Sequence, residues 1–226
     1  MHTLMIADDH PLFRDAIAAV IDAGLPGCHL LQADSLAEAL HQATACEALD
    51  LLLLDLGLPD AEGLSGLQAL REALPWLPVV IVSADQERHT ILEAIDLGAV
   101  GYIPKSTPRE ALLAALAGIL EGRIYLPPDI MRRPPATRPS SSPADLSPHL
   151  ASLTAKQLEV LARLSRGASN KLIARELDIA ETTVKTHVSA ILRKLGVTSR
   201  VQAILVADQA DLATRLAQHR THRLDA

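Results

Sequence analysis

The 226-residue chain is long enough for two ordinary domains or one large one, and its core must be aliphatic because 49% of its residues are hydrophobic but only 2% are aromatic. Two cysteines are too few for a disulfide framework, and the apolar runs are too short for a membrane span or a signal peptide, so we expect a cytoplasmic protein in which Cys28 and Cys46 are buried thiols. The net charge of −6 divides into −12 for residues 1–126, +1 for residues 127–150 and +5 for residues 151–226, which makes the second half a candidate to bind a polyanion.

The front half of the chain alternates short aliphatic runs with amphipathic stretches, the pattern of strands that are each followed by a helix. Five such units predict a parallel sheet with helices on both faces, a doubly wound α/β domain. The predicted strands are Thr3–Ala7, Cys28–Ala33, Leu49–Leu54, Val79–Ser83 and Gly101–Ile103. The predicted helices are Pro11–Ala23, Ser35–Ala45, Gly63–Ala73, Glu87–Gly98 and Pro108–Glu121.

Charged or polar residues stand at the ends of four predicted strands. Asp8 and Asp9 follow the first strand, Asp55 follows the third, Ser83 ends the fourth and Lys105 follows the fifth. The carboxyl ends of parallel strands meet at one edge of a sheet, so we expect these side chains to gather there. Clustered carboxylates favour a divalent cation, and oxygen ligands favour Mg²⁺. A plainer alternative is that Asp8 and Asp9 only begin a helix.

Four stretches carry a resemblance to a known family: ADDHPLFRDAI, LLLLDLGLPDAEGLSGL, VIVSAD and GAVGYIPKS. In this order and spacing they resemble the receiver domains of two-component systems over residues 3–122. The resemblance implies a flavodoxin-like, five-stranded parallel sheet in which Asp55 is the nucleophile that accepts a phosphoryl group. It also implies Mg²⁺ bound by Asp9, Asp55 and the backbone carbonyl of Gly57, with Asp8 acting through water.

The same resemblance assigns roles to three further residues. Ser83 bonds the phosphoryl oxygen, Tyr102 is the aromatic switch, and Lys105 is the cation beside the transferred group. The chemistry is consistent, since the Asp55 carboxylate attacks an activated phosphoryl donor in line while positive charge stabilises the transferring group. Alternatively, Ser83 caps a loop and Tyr102 belongs to the core.

Residues 127–149 are rich in proline and serine and lack a helical or alternating pattern, which predicts a semi-extended linker. We therefore place a receiver domain at residues 1–126 and a second domain with a C-terminal tail at residues 150–226. Four short helices predict an all-α helix-turn-helix bundle there. They are a helix capped by Thr154 that ends near Arg166, one capped by Ser169 that ends near Asp178, Glu181–Leu195, and Arg200–Asp208.

The helix predicted at Glu181–Leu195 combines an apolar stripe with a basic face. The stripe consists of Val184, Val188, Ile191 and Leu195, which we expect to face the bundle. The candidates for contact with a DNA major groove are Lys185, Thr186, Ser189 and Arg193. Thr183 is a further DNA-binding candidate, and His187 could equally touch the DNA backbone or pack. The candidates for DNA phosphate at the start of the preceding helix are Ser169, Asn170 and Lys171, where free N–H groups attract anions. The alternatives are a solvated basic face and a simple helix cap.

The segment Leu153–Ala207 resembles the DNA-binding domain shared by the LuxR, NarL and FixJ groups of regulators, and a receiver in front of it matches the NarL type. Three positions depart from the family pattern: Ala180 stands where a serine commonly caps, Leu172 replaces an acidic residue, and Ser189 stands where some relatives have lysine. These departures leave the base contacts open. The segments AETTVKTHVSAILRKL and YLPPDI also resemble regulators of alcohol oxidation in proteobacteria.

Together these features predict a phosphorylation-controlled transcription regulator of a two-component system. We expect a homodimer on double-stranded operator DNA with two half-sites, a sensor histidine kinase as upstream partner, Mg²⁺ as cofactor, and no enzymatic turnover of a metabolite. One alternative is a DNA-binding regulator that works without phosphorylation, its receiver serving as a protein-interaction module. A more distant one is an enzyme whose acidic pocket hydrolyses phosphoesters.

Overall fold

The computed structural model describes residues 2–131, 150 and 152–209, which belong to two compact units. The strands of the first unit are β1 (His2–Ala7), β2 (Cys28–Ala33), β3 (Leu49–Leu54), β4 (Val79–Ser83) and β5 (Gly101–Pro104). Its helices are α1 (Pro11–Gly24), α2 (Leu36–Ala45), α3 (Ser65–Ala73), α4 (Arg88–Asp96), α5 (Arg109–Leu120) and α6 (Pro128–Met131). The second unit contains α7 (Ala155–Ser165), α8 (Asn170–Leu177), α9 (Glu181–Leu195) and α10 (Arg200–Gln209).

The five strands form one parallel sheet in the order β2-β1-β3-β4-β5. This is the flavodoxin-like doubly wound order, so the predicted fold of the front half is confirmed. The order reverses beside β1, which places the carboxyl ends of β1 and β3 next to each other. Ligand sites of doubly wound sheets lie at this point.

The two faces of the sheet carry separate hydrophobic cores. Leu52 and Leu54 of β3 pack on the face that α2, α3 and α4 cover, whereas Leu51 and Leu53 pack on the face that α1 and α5 cover. Successive side chains of a strand point to opposite faces. All four leucines are buried because helices cover both faces. Such two-sided burial explains the unbroken run of four leucines at the end of β3.

The first unit continues beyond residue 126, where the linker was predicted to begin. Tyr125 bridges to Gly101 beside β5, and the backbone N–H of Tyr102 donates to its carbonyl over 3.0 Å. Ile130 in α6 is buried in the core that α2, α3 and α4 share. One buried isoleucine among prolines is too weak a signal to show in sequence. The rest of the predicted linker, residues 132–149, lies outside the described residues.

The second unit consists of short helices whose starts follow the predicted caps. The Thr154 hydroxyl accepts from the backbone N–H of Gln157 over 3.3 Å, and the Gln157 side chain accepts from the Thr154 N–H over 3.0 Å, which forms a capping box for α7. The Ser169 hydroxyl caps α8 by accepting from the Leu172 N–H. Gly196 ends α9 in the left-handed conformation, at φ 66°. The predicted all-α bundle is confirmed, and the tail from residue 210 lies outside the described residues.

Two expectations from composition can be compared with this fold. Cys28 and Cys46 are partly exposed, not fully buried as predicted, and neither is in a disulfide. Both lie near the ends of elements and pack at the margins of the two cores. Among the described residues, no helix is long and apolar enough to cross a membrane.

The position of Ile130 generates a test of where the first unit ends. Ile130→Ala should lower the free energy of unfolding of this unit by about 2 kcal/mol, because truncating a buried isoleucine leaves a cavity. Urea unfolding of the full chain measures the change. Asp129→Ala, at the exposed neighbouring position, should stay within about 0.5 kcal/mol of the unchanged protein. Equal stability of the two variants would mean that α6 does not belong to the first unit.

Candidate functional site

The strand order brings the predicted site residues to one edge of the sheet. The backbone N–H of Asp55, directly after β3, donates to the carbonyl of Ala7 at the end of β1 over 2.9 Å. The N–H of Lys105, directly after β5, donates to the carbonyl of Ser83 over 2.8 Å. Since these ladder hydrogen bonds continue into the site residues, their backbones are held as firmly as the strands themselves.

Lys105 lies between two buried carboxylates. Its ammonium is 2.8 Å from Asp8 Oδ2 and 2.8 Å from Asp55 Oδ2, and it stands 4.7 Å from the centre of the Phe13 ring. Asp8 is 1% exposed and Asp55 is 5% exposed. Burial alone would lower the pKa of Lys105, but the hydrogen bonds and charges of Asp55 and Asp8 raise it above its usual value. The lysine therefore carries a permanent positive charge at neutral pH.

Four groups that could hold a metal ion meet beside this lysine. Their ligand atoms lie within 4.8 Å of one another, and they belong to Asp8, Asp9, His10 and Asp55. The predicted acids are thus brought together, and His10 is a member that sequence reasoning missed, although its position after the acid pair was a signal. Gly57 borders the cluster, since a β-carbon built on it would lie 3.1 Å from Asp55 Oδ2.

Ser83 and Tyr102 meet through the loop that follows β4. The Ser83 hydroxyl accepts from the backbone N–H of Asp85 over 3.1 Å, and the Tyr102 hydroxyl donates to the Asp85 carbonyl over 2.8 Å. Burial raises the pKa of Tyr102, a hydrogen bond with Ser83 opposes this, and the charges of Asp85 and Asp55 raise it further. The phenol therefore stays neutral, and both side chains are tied to the backbone of one loop residue, Asp85.

Asp60 is a second residue that sequence reasoning missed. It lies in the loop after Asp55, and its two carboxylate oxygens accept from the backbone N–H groups of Leu36 and Ala37, over 2.7 and 2.8 Å. These N–H groups belong to the first turn of α2, where no intrahelical acceptor exists. The hydrogen bond from Leu36 lowers the pKa of Asp60, although slight burial opposes it. Asp60 therefore caps α2 from a distant part of the chain.

The predicted recognition helix, α9, buries its apolar stripe as expected. Val184, Val188, Ile191 and Leu195 are all buried. The predicted DNA-contact residues on this helix differ in exposure: Thr183, Thr186 and Arg193 are exposed, whereas His187 and Ser189 are partly exposed. Thr186 and Ser189 donate their hydroxyls to the carbonyls of the residues one turn before them. An open face of this helix is therefore centred on Thr186 and Arg193.

Two candidate DNA-contact residues differ in burial from the prediction. Lys185 was expected to point away from the apolar stripe, but it is 6% exposed and its ammonium lies 3.6 Å from Glu181 Oε1. Leu192, seven residues later, is also buried, so the buried stripe is wider than the sequence pattern indicated. Asn170 is 8% exposed, whereas Ser169 and Lys171 beside it are partly exposed.

Comparison with known proteins assigns each unit to a described family. The model of the response regulator receiver domain matches residues 4–117, and the model of bacterial regulatory proteins of the luxR family matches residues 151–207. A relative from Pseudomonas putida, a glycerol metabolism activator, is 52% identical over 219 residues, which are 96% of this chain and 99% of the relative.

Two further matches are more distant. The nitrate/nitrite response regulator protein NarL of Escherichia coli (strain K12) is 31% identical over 92% of this chain and 95% of its own length. The crystal structure of a LuxR-family two-component response regulator from Aurantimonas sp. SI85-9A1 is 29% identical, with a TM-score of 0.53 over 57% of this chain and 92% of that chain. The sequence relatives thus share both units, in the same order.

The hydrogen bonds of Asp60 generate a stability prediction with a defined pH dependence. Asp60→Ala should lower the free energy of unfolding by about 1 kcal/mol at neutral pH, the usual cost of losing a helix cap. Because folding lowers the pKa of Asp60 below the ordinary aspartate value of 3.8, the difference should be complete above that value and disappear as the pH falls through the folded pKa. Urea unfolding between neutral pH and about pH 3 measures it, with the exposed Asp22→Ala as control. Equal effects of the two substitutions at neutral pH would contradict the capping role.

Proposed function

The chain belongs to the response regulators that join a receiver domain to a LuxR-type DNA-binding domain, and we propose that phosphorylation of Asp55 controls its binding to DNA. It is a DNA-binding transcription regulator of a two-component system. The observation that carries the proposal is the Lys105 ammonium between the buried carboxylates of Asp8 and Asp55. A receiver that had become a passive interaction module would not need to keep three charged groups in this buried arrangement.

In the proposed reaction, a carboxylate oxygen of Asp55 attacks the phosphorus of an activated donor. A new P–O bond forms, the bond from phosphorus to the donor's leaving group breaks, and Asp55 becomes an acyl phosphate. Lys105 stabilises the negative charge on the transferred oxygens, since the pKa of Lys105 keeps it protonated. Ser83, 5% exposed at the end of β4, is positioned to donate its hydroxyl to a phosphoryl oxygen.

The residues beside Lys105 fit a divalent cation. The carboxylates of Asp8, Asp9 and Asp55 with one ammonium leave two negative charges, which one Mg²⁺ would balance. We assign Asp9, Asp55 and the carbonyl of Gly57 as its ligands, with Asp8 acting through water. The ion would supply positive charge for the phosphoryl oxygens during transfer.

The switch that we propose runs through Asp85. When the Ser83 hydroxyl turns to a phosphoryl oxygen, it gives up the N–H of Asp85, and the loop that Tyr102 also holds is free to move. Tyr102 is fully buried, so its reorientation would change the surface near β4 and β5. This coupling would connect the chemistry at Asp55 to dimer formation.

We assign α9 as the helix that enters the major groove of operator DNA. Its open face carries Thr186, Ser189 and Arg193, flanked by Thr183 and His187. Ser169, Asn170 and Lys171 at the start of α8 are assigned to the DNA backbone, as is Lys185 once it leaves Glu181. A homodimer would place two such helices on two half-sites.

The family supports a proposal for the upstream partner, and one relative supports a proposal for the regulated process. We propose that a sensor histidine kinase supplies the phosphoryl group and that the chain turns over no metabolite of its own. Since a relative with 52% identity over nearly the full length is a glycerol metabolism activator, we propose genes for the metabolism of glycerol or a related alcohol as targets. Mapping of bound genomic fragments tests this, and fragments without such genes would contradict it.

The phospho-acceptor assignment predicts a single labelled residue. Incubation with acetyl phosphate and Mg²⁺ should add one phosphoryl group to the unchanged protein and none to Asp55→Asn, because the amide cannot act as the nucleophile. Intact mass spectrometry measures the label. Asp22→Asn, on the exposed side of α1, should be labelled like the unchanged protein. Equal labelling of Asp55→Asn would show that another residue accepts the phosphoryl group.

The assignment of α9 predicts a graded loss of DNA affinity. If Arg193 reads a base, Arg193→Ala should weaken operator binding by about 1–3 kcal/mol. If Arg193 contacts phosphate, the substitution should reduce the slope of the logarithm of affinity against the logarithm of salt concentration by about one. Lys156→Ala, on α7, serves as the control and should bind as before. A loss for Lys185→Ala as large as that for Arg193→Ala would show that Lys185 leaves Glu181 on binding. Unchanged affinity and salt dependence for Arg193→Ala would contradict the assignment of this face.

A further inference from the structure

We propose that His10 is itself a ligand at the metal site, so that this receiver also takes a first-row transition dication of the kind that binds imidazole. The proposal rests on the acidic metal site of the proposed function and adds a nitrogen donor to its oxygen ligands. It predicts a metal preference that Asp8, Asp9 and Asp55 alone would not give.

The imidazole contacts both acids of the pair through one ring nitrogen. Its Nδ1 lies 2.6 Å from Asp9 Oδ1 and 3.2 Å from Asp8 Oδ1. Two ligand atoms bound to one ion at about 2.1 Å are about 3.0 to 3.4 Å apart in octahedral or tetrahedral geometry. The separation from Asp8 already has this value, so Asp8 would bind such an ion directly and not through water as for Mg²⁺, and the separation from Asp9 needs to open by about 0.4 to 0.8 Å. Asp9 and His10 can both move, since their side chains are 35% and 66% exposed.

The two carboxylate oxygens of Asp8 have different partners, which supports an ion position beside His10. Lys105 contacts the Oδ2 atoms of Asp8 and Asp55, whereas the Oδ1 atom of Asp8 faces His10. The backbone N–H of His10 also donates to that Oδ1 atom over 2.9 Å, which fixes the start of the side chain while the exposed ring can turn. Lysine and an ion held by His10 would therefore bind different oxygens of Asp8 without competing.

The kinds of ligand atom at the site decide which ions bind more tightly because of His10. Mg²⁺ prefers oxygen ligands and keeps several waters, so an added imidazole contributes little to its binding. Zn²⁺ and its neighbours bind imidazole nitrogen at about 2.0 to 2.1 Å, and they bind more tightly as the series proceeds toward copper. Replacing a carboxylate-only set by carboxylates with His10 should therefore raise affinity for Zn²⁺ much more than affinity for Mg²⁺.

The test uses Zn²⁺ as the probe ion with the full-length chain. Titration with Zn²⁺ should shift the ¹⁵N resonance of His10 Nδ1 in the imidazole region of the NMR spectrum. Calorimetry should show that the ratio of the Mg²⁺ Kd to the Zn²⁺ Kd falls at least about tenfold in His10→Gln, because one Zn²⁺ ligand is lost. His41→Gln, at an exposed position of α2, should leave this ratio unchanged. A role of His10 in folding alone would change both dissociation constants together.

Two results would overturn the proposal: Zn²⁺ binding without a shift of His10 Nδ1, or an unchanged ratio in His10→Gln. Labelling of the unchanged protein at Asp55 by acetyl phosphate with Mg²⁺ is measured in parallel. Labelling without a His10 shift rejects the nitrogen ligand and keeps the proposed function. A His10 shift without labelling keeps the ligand and rejects phosphorylation at Asp55.

Discussion

The first unit depends on one interaction, the contact of the Lys105 ammonium with the carboxylates of Asp8 and Asp55. Buried carboxylates without a partner oppose folding, so the Lys105 ammonium offsets much of the cost of burying these acids at the sheet edge. Lys105 follows β5, two strands away from β3, and its long side chain spans the intervening end of β4. The geometry that stabilises the acids is also the geometry that a transferred phosphoryl group would need.

The loops around this contact are tied to other parts of the receiver by hydrogen bonds to backbone groups. Asp60 attaches the loop after β3 to the first turn of α2, and Asp85 attaches the loop after β4 to Ser83 and Tyr102. The first attachment holds the site in place. The second can be exchanged, because a hydroxyl that bonds the backbone can bond a phosphoryl oxygen instead. An attached loop that carries Asp55 and a neighbouring loop whose hydrogen bond can be exchanged suit a phosphorylation switch.

The DNA-binding unit shows how the width of a buried stripe limits the surface available for recognition. The buried side of α9 includes Lys185 and Leu192 as well as the stripe from Val184 to Leu195, and it leaves Thr186 and Arg193 on the open face. A helix that packs against several neighbours buries more than the narrow stripe visible in its sequence. The basic character of its open face therefore depends more on Arg193 than the sequence pattern suggested.

The sequence by itself determined the parallel sheet, the strand ends that carry Asp55 and Lys105, and the helix starts at Thr154 and Ser169, since these follow from local periodicity and caps. The tertiary structure alone decided contacts between residues far apart in the chain. Asp60 reaches Leu36 across 24 positions, and Ile130 enters the core from a stretch whose prolines predict a linker. The tertiary structure also decided the burial of Lys185. A side chain at the edge of a helical stripe is exposed to water or buried according to how closely the neighbouring residues pack.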